Sequence, residues 1–134
     1  MGNNDDVVET SLGMVLSALK GTKEYWNRRQ ADLTTMDENL GPATFFLTLS
    51  CAEFSWSDMR EFLEFMNSDL PSVKDMRTGY VAASDPVSVS EHFYHRYTTF
   101  FREVIRNKNG PLGEVTDYFW RIEYQSRGAP HCHM

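Results

Sequence analysis

Along this chain the apolar positions recur with a helical period in four stretches and alternate with polar ones in two. Residues 7–20 (VVETSLGMVLSALK) predict a short helix weakened by Gly13. Thr22 is a suitable cap for a second helix over about 23–39, with Tyr25, Leu33 and Met36 as its apolar positions and Gly41-Pro42 as its stop. Ser55 or Ser57 is expected to cap a helix over about 58–67, where Met59, Phe62, Leu63 and Phe65-Met66 carry the period. Residues 69–85 have no clear period and predict a loop with at most a short turn in it. Asp85 then caps a long helix to about 107, with Pro86 at its first position and Val89, Phe93, Tyr97, Phe100 and Val104 as its buried stripe.

The two alternating stretches are strands. In TFFLTLS (44–50), Phe45, Leu47 and Leu49 share one face while Phe46, Thr48 and Ser50 share the other. From Glu114 to Gln125, Tyr118, Trp120, Ile122 and Tyr124 fall on one face, and Phe119, Arg121, Glu123 and Gln125 on the other. After a loop at 107–113 and that strand, Ser126 to Pro130 form a turn containing Gly128, and a last strand opens at His131. Helices mixed with hairpin-connected strands make the class α+β, an antiparallel sheet with helices packed on it.

The hairpin has chemical consequences. A five-residue turn without a bulge sets Gln125 opposite His131 and Glu123 opposite His133. Alternation puts both histidines on one face and Cys132 on the other. Opposed residues stand about 5 Å apart at Cβ, so two imidazoles, a carboxylate and an amide converge on one patch. His131, His133, Glu123 and Gln125 are therefore the candidate ligands of a divalent metal, with the oxygen donors keeping Mg²⁺ or Mn²⁺ in view. An iron oxygenase uses a similar donor set but needs a many-stranded barrel, and only three strands are predicted here.

Composition narrows the class. With 134 residues, 41% of them hydrophobic and 24% charged, the chain can bury a core of its own. No run of about 18 apolar residues occurs, MGNNDD lacks the apolar stretch of a signal peptide, and Asp6 stands where a myristoylation signal takes Ser or Thr. Two cysteines, Cys51 and Cys132, argue for a reducing compartment. The net charge of −6 disfavours a phosphate-rich partner, but it is unevenly spread: residues 1–75 sum to −7, 76–110 to +2 and 111–134 to −1. Nucleic-acid binding would thus be local, through His95, Thr99, Arg102 and Arg106 on the polar side of the long helix, Lys108 beyond it, and Arg121 beside Glu123.

Three stretches carry a family likeness: GPATFFLTLSCAEFSW (41–56), DPVSVSEHFYHRYTTFF (85–101) and LGEVTDYFWRIEYQSRGAPHCHM (112–134). Over 41–134 the chain resembles the helicase-like N-terminal domain of Helitron transposases, of the HUH (replication-initiator-type) endonuclease superfamily. TFFLTLS resembles the first initiator motif and His131-Cys132-His133 the His-hydrophobic-His motif, with Cys as the small hydrophobe. The order Glu123, Gly128, Pro130, His131, His133 is similar to that of related initiators, which makes Glu123 the first choice for third ligand and Gln125 the second. The resemblance implies a nuclear nicking and joining domain for single-stranded DNA in rolling-circle transposition, with a metal polarising the scissile phosphate and a tyrosine attacking it. In that family the tyrosine lies on a helix well after the histidines, so no catalytic residue is expected within this chain, and the domain is expected to be incomplete at its C-terminus. Residues 1–40 form a separate helical segment. The alternative is an inert mobile-element remnant that at most binds single-stranded DNA or a partner. Tyr94 and Tyr97, three apart on a helix, precede the histidines and are expected to be core residues.

Overall fold

The computed structural model describes residues 3–70, 72–125 and 128–134, and its backbone divides into two compact units, residues 1–44 and 45–134. The first is a helical hairpin of α1 (Asn3–Ala18) and α2 (Lys23–Leu40). Thr22 organises the bend: its hydroxyl donates to the carbonyls of Leu16 and Leu19 and accepts from the Tyr25 amide at 3.2 Å, satisfying donors that a helix start leaves open. Gly41 ends α2 at φ 84°, where a side chain would be strained, and its amide reaches back to the Asp37 carbonyl. No residue of α2 is buried.

The second unit holds the core. β1 (Thr48–Ser50), α3 (Ser57–Met66), a 3-10 turn (Val73–Asp75), α4 (Thr78–Ser84), α5 (Pro86–Phe100), a π turn (Phe101–Ile105), β2 (Arg121–Tyr124) and β3 (Pro130–His133) follow in that order. The three strands form one antiparallel sheet in the order β1-β3-β2. Cys132 from the central strand, Cys51, Ala129 and partly buried Leu49 and Ile122 pack with Met59, Leu63, Val81, Val89, Phe93 and Tyr97 from the helices. The class is α+β, with helices against one sheet face.

Several elements differ from expectation. α3 has Trp56 at its cap position with no side-chain bond, so neither Ser55 nor Ser57 caps it. Its inward stripe is Met59 and Leu63, both fully buried; Phe65 and Met66 turn outward. The expected loop at 69–85 contains the 3-10 turn and α4, because Val73, Val81 and Ala82 find places in the core. The Arg60 guanidinium fastens this region, donating to the carbonyls of Val73, Lys74 and Met76 and pairing with Glu64. Asp85 does cap α5, accepting from the Ser88 amide at 3.1 Å. Past Tyr97 the stripe passes through Phe101 and Ile105 rather than Phe100 and Val104. The i→i−5 bond from the Arg106 amide to the Phe101 carbonyl widens the last turn, so residues four apart keep facing the core.

The strands are shorter than their alternation suggested. Of 114–125 only Arg121–Tyr124 is paired, because β3 offers a partner of just four residues. Of 44–50 only Thr48–Ser50 is strand, extended by reciprocal Leu47 and Met134 backbone bonds of 2.8 and 2.9 Å. β3 begins at Pro130 rather than His131. Of the turn expected at 126–130, residues 126 and 127 lie outside the described residues.

Candidate metal centre

β3 is built to show one face to the core and the other outward. Cys132 is fully buried, while the flanking His131 and His133 project to the opposite side, as alternation requires. Burial among apolar groups pushes the Cys132 thiol above its ordinary range, against the opposing influence of Tyr97. On the outward face the residues fall into two rows across the sheet: Thr48, His133 and Arg121 in one, Ser50, His131 and Glu123 in the other.

This register corrects the expected one. Glu123 pairs with His131, not His133, and Arg121 takes the place opposite His133. The turn is tighter than assumed: the Gln125 amide bonds the Ala129 carbonyl, and the Gly128 amide, at φ 86°, bonds the Gln125 carbonyl. The slip is two residues, equal to the period of a strand, so every side chain keeps its face.

Glu123, His131 and His133 each offer a ligand atom, and these atoms lie within 4.8 Å of one another. Glu123 Oε2 is 3.6 Å from His131 Nε2 and 3.7 Å from His133 Nε2. With metal–ligand bonds of about 2.1 Å, neighbouring ligands stand about 3.0 Å apart in octahedral and about 3.4 Å in tetrahedral coordination. The two glutamate–histidine spans exceed these values by about 0.2–0.7 Å, and the widest span of the triad, bounded at 4.8 Å, closes by rotation of the side chains; the donor types suit a divalent ion. The half-buried setting leaves the outer side open for further oxygen ligands.

Neighbouring groups hold these donors. Thr48 Oγ1 lies 3.1 Å from His133 Nδ1; the tautomer in which that nitrogen donates leaves the Nε2 lone pair directed at Glu123. Phe46 stacks on the His133 ring at 5.6 Å with 17° between planes, and the two imidazoles meet edge to face at 4.7 Å. Arg121 Nη2 pairs with Glu123 Oε1 at 3.1 Å, leaving Oε2 to the histidines. Two polar atoms here are enclosed without a hydrogen-bond partner among the described residues, His131 Nδ1 and Gln125 Oε1. Gln125 follows Glu123 by one alternation along the chain, and its backbone amide bonds the Ala129 carbonyl.

The other expected positions are scattered. Arg102 pairs with Glu103 at 2.6 Å, Lys108 with Glu114 at 2.7 Å, and Arg106 lies over the Tyr118 ring at 5.4 Å. Tyr97 is buried in the core as expected, and burial raises its hydroxyl far above its ordinary value. Tyr94 corrects its expectation, being half-exposed rather than a core residue.

A second polar cluster, between α3 and α5, was not legible in the linear pattern because its members are some 35 residues apart. Asp58 pairs with Arg96 and lies 3.2 Å from His92; Arg96 covers Trp56 at 4.2 Å and His92 stacks on Phe62 at 5.1 Å. Partial burial raises Asp58, but Arg96 and His92 outweigh it and hold the carboxyl below its ordinary value. Burial lowers His92 despite Asp58.

Among the described residues, no helix is long and apolar enough to cross a membrane. No curated protein and no solved structure matches the chain. One family does, described as the Helitron helicase-like domain at the N-terminus, and its match over residues 4–134 takes in the two N-terminal helices as well as the sheet. The chain belongs to the Helitron helicase-like N-terminal domain family.

Proposed function

We propose that this domain binds Mg²⁺ or Mn²⁺ through Glu123, His131 and His133 and uses the site to hold a phosphate of single-stranded DNA, as in the nicking and joining domain of a rolling-circle transposase of HUH type. The observation that carries the reading is the convergence of the three ligand atoms within 4.8 Å on an open sheet face. A bound divalent ion supplies Lewis-acid polarisation of a phosphoryl oxygen. Thr48 fixes the His133 ring, and Arg121 holds the Glu123 carboxylate and lies in the same row as His133, where its guanidinium is placed to meet a phosphate oxygen. Gln125 remains the second choice for the oxygen ligand.

No tyrosine is assigned as nucleophile. Tyr97 lies in the core, and Tyr124 alternates to the strand face opposite Glu123. Arg102 and Lys108 pair with Glu103 and Glu114, and Arg121 pairs with Glu123, but Arg121 alone among these cations shares the sheet row of His133, which makes it the stronger candidate for phosphate contact than Arg102, Arg106 or Lys108.

The test is titration of fluorescent single-stranded oligonucleotides with the protein, in Mn²⁺ or in chelator, together with Mn²⁺ calorimetry. Binding should need Mn²⁺, weaken with salt and disappear in His131→Ala/His133→Ala. Glu123→Ala should lose Mn²⁺, whereas Gln125→Ala should retain it; the reverse outcome would exchange the two ligands. DNA binding that is equal in chelator would overturn the proposal.

A further inference from the structure

Phe46 is more exposed than any other large hydrophobic residue described, at 77%, yet its ring is not loose. It lies nearly parallel to the His133 imidazole, and its backbone is fixed next to Leu47, whose amide and carbonyl both bond Met134. One ring face is therefore occupied by a ligand histidine while the other is open to solvent. Alternation along β1 places Phe46 on the face of Thr48 and Ser50, one step beyond the row Thr48, His133, Arg121.

The triad is thus flanked across the sheet by a cation on the β2 side and an uncovered aromatic ring on the β1 side. Adjacent strands are about 4.8 Å apart, so the backbones of β1 and β2 stand about 10 Å apart across β3, with the ligands between these two groups. An exposed aromatic ring would otherwise favour burial; a π face kept open beside a phosphate-binding centre suits a nucleobase, because every base has a flat face to stack.

From this juxtaposition we propose that Phe46 is a stacking platform for the nucleobase adjoining the phosphate at the Glu123–His131–His133 centre. The inference rests on the single-stranded DNA reading above. It adds that the site grips base as well as phosphate, without base preference, since stacking carries no hydrogen-bond code.

The experiment compares the parent, Phe46→Leu and Phe46→Trp in Mn²⁺. The probes are a fluorescein-labelled oligothymidylate of about a dozen nucleotides and an abasic oligomer of equal length. Stacking on one side chain predicts about a tenfold loss of oligothymidylate affinity in Phe46→Leu, with Phe46→Trp at least as tight as the parent. At saturating Mn²⁺ the abasic oligomer should bind parent and Phe46→Leu alike, and any loss of Mn²⁺ affinity read by calorimetry when the ring leaves His133 should be clearly smaller than the loss of oligothymidylate affinity. Phe46→Leu binding oligothymidylate like the parent would remove the platform and leave the metal-dependent DNA reading standing. A fall in Mn²⁺ affinity matching the fall in DNA affinity would also overturn it, reducing Phe46 to a prop for His133. A parent that binds neither oligomer would overturn both readings.

Discussion

The two faces of the three-stranded sheet make opposite use of the same backbone. Inward, Cys132 is fully buried, Leu49 and Ile122 pack beside it, and the helices close over them. Outward, Thr48, Ser50, Arg121, Glu123, His131 and His133 lie in two rows of polar side chains, with an enclosed imidazole nitrogen among them. The inner face gains from excluding water from carbon; the outer face keeps donors aligned that would be better solvated apart. Stability and chemistry are thus divided between alternate residues of one strand, and the two should be separable by mutation.

The largest effect should come from the inner side. Leu63, fully buried in α3 against this core, should cost about 2–5 kcal/mol when changed to Ala, measured by urea unfolding. The same measurement on His131→Ala/His133→Ala should stay within about 1 kcal/mol of the parent in chelator, since half-buried polar residues on an open face contribute little packing. A double variant as unstable as Leu63→Ala would erase the division between faces.

A smaller effect sharpens the outer face. Thr48→Val removes the hydroxyl beside His133 Nδ1 while keeping the side-chain shape, and should weaken Mn²⁺ binding by about tenfold with an unchanged unfolding midpoint in chelator. Unaltered affinity would show that the ring needs only Phe46 and the sheet to hold it.

The smallest effect lies away from the sheet. Asp85→Ala should cost about 1 kcal/mol by removing the cap of α5. Burial pushes the Asp85 carboxyl up, but Ser88 and Asn67 outweigh it and hold it below its ordinary 3.8. A carboxyl with a lowered folded value stabilises fully above 3.8, and that contribution is lost as pH falls below it. Denaturation profiles of parent and Asp85→Ala should therefore converge on acidification below pH 4, while Asp58, also lowered, keeps its own acid sensitivity in both. Profiles that remain parallel would refute the capping role.

What could be read in advance follows from which physics is local. The faces of Thr48, Glu123 and the histidines come from alternation alone, and the caps of α2 and α5 from Thr22 and Asp85. Register was not legible, because it depends on the turn: Gln125 closes on Ala129 rather than leaving a five-residue loop. Strand length was not legible either, since residues 114–120 alternate well but have no partner strand described. The stacking of Phe46 on His133 and the Arg121–Glu123 pair depend on which strands become neighbours. α4 was hidden because a seven-residue helix with two buried positions is too short to establish a period.

The central position of β3 also sets an order of assembly. Its partner on one side, β2, is reached through a short turn, whereas Thr48 on the other side is 85 residues away from His133. Closing the longer loop costs about 2 kcal/mol more in chain entropy than bringing Glu123 to His131. Contacts close in sequence cost less chain entropy to form, so the expected order brings the three ligands together on the local hairpin first and the strand that braces His133 second. The donor set is then an early product of folding, and its refinement by Thr48 and Phe46 is a late one.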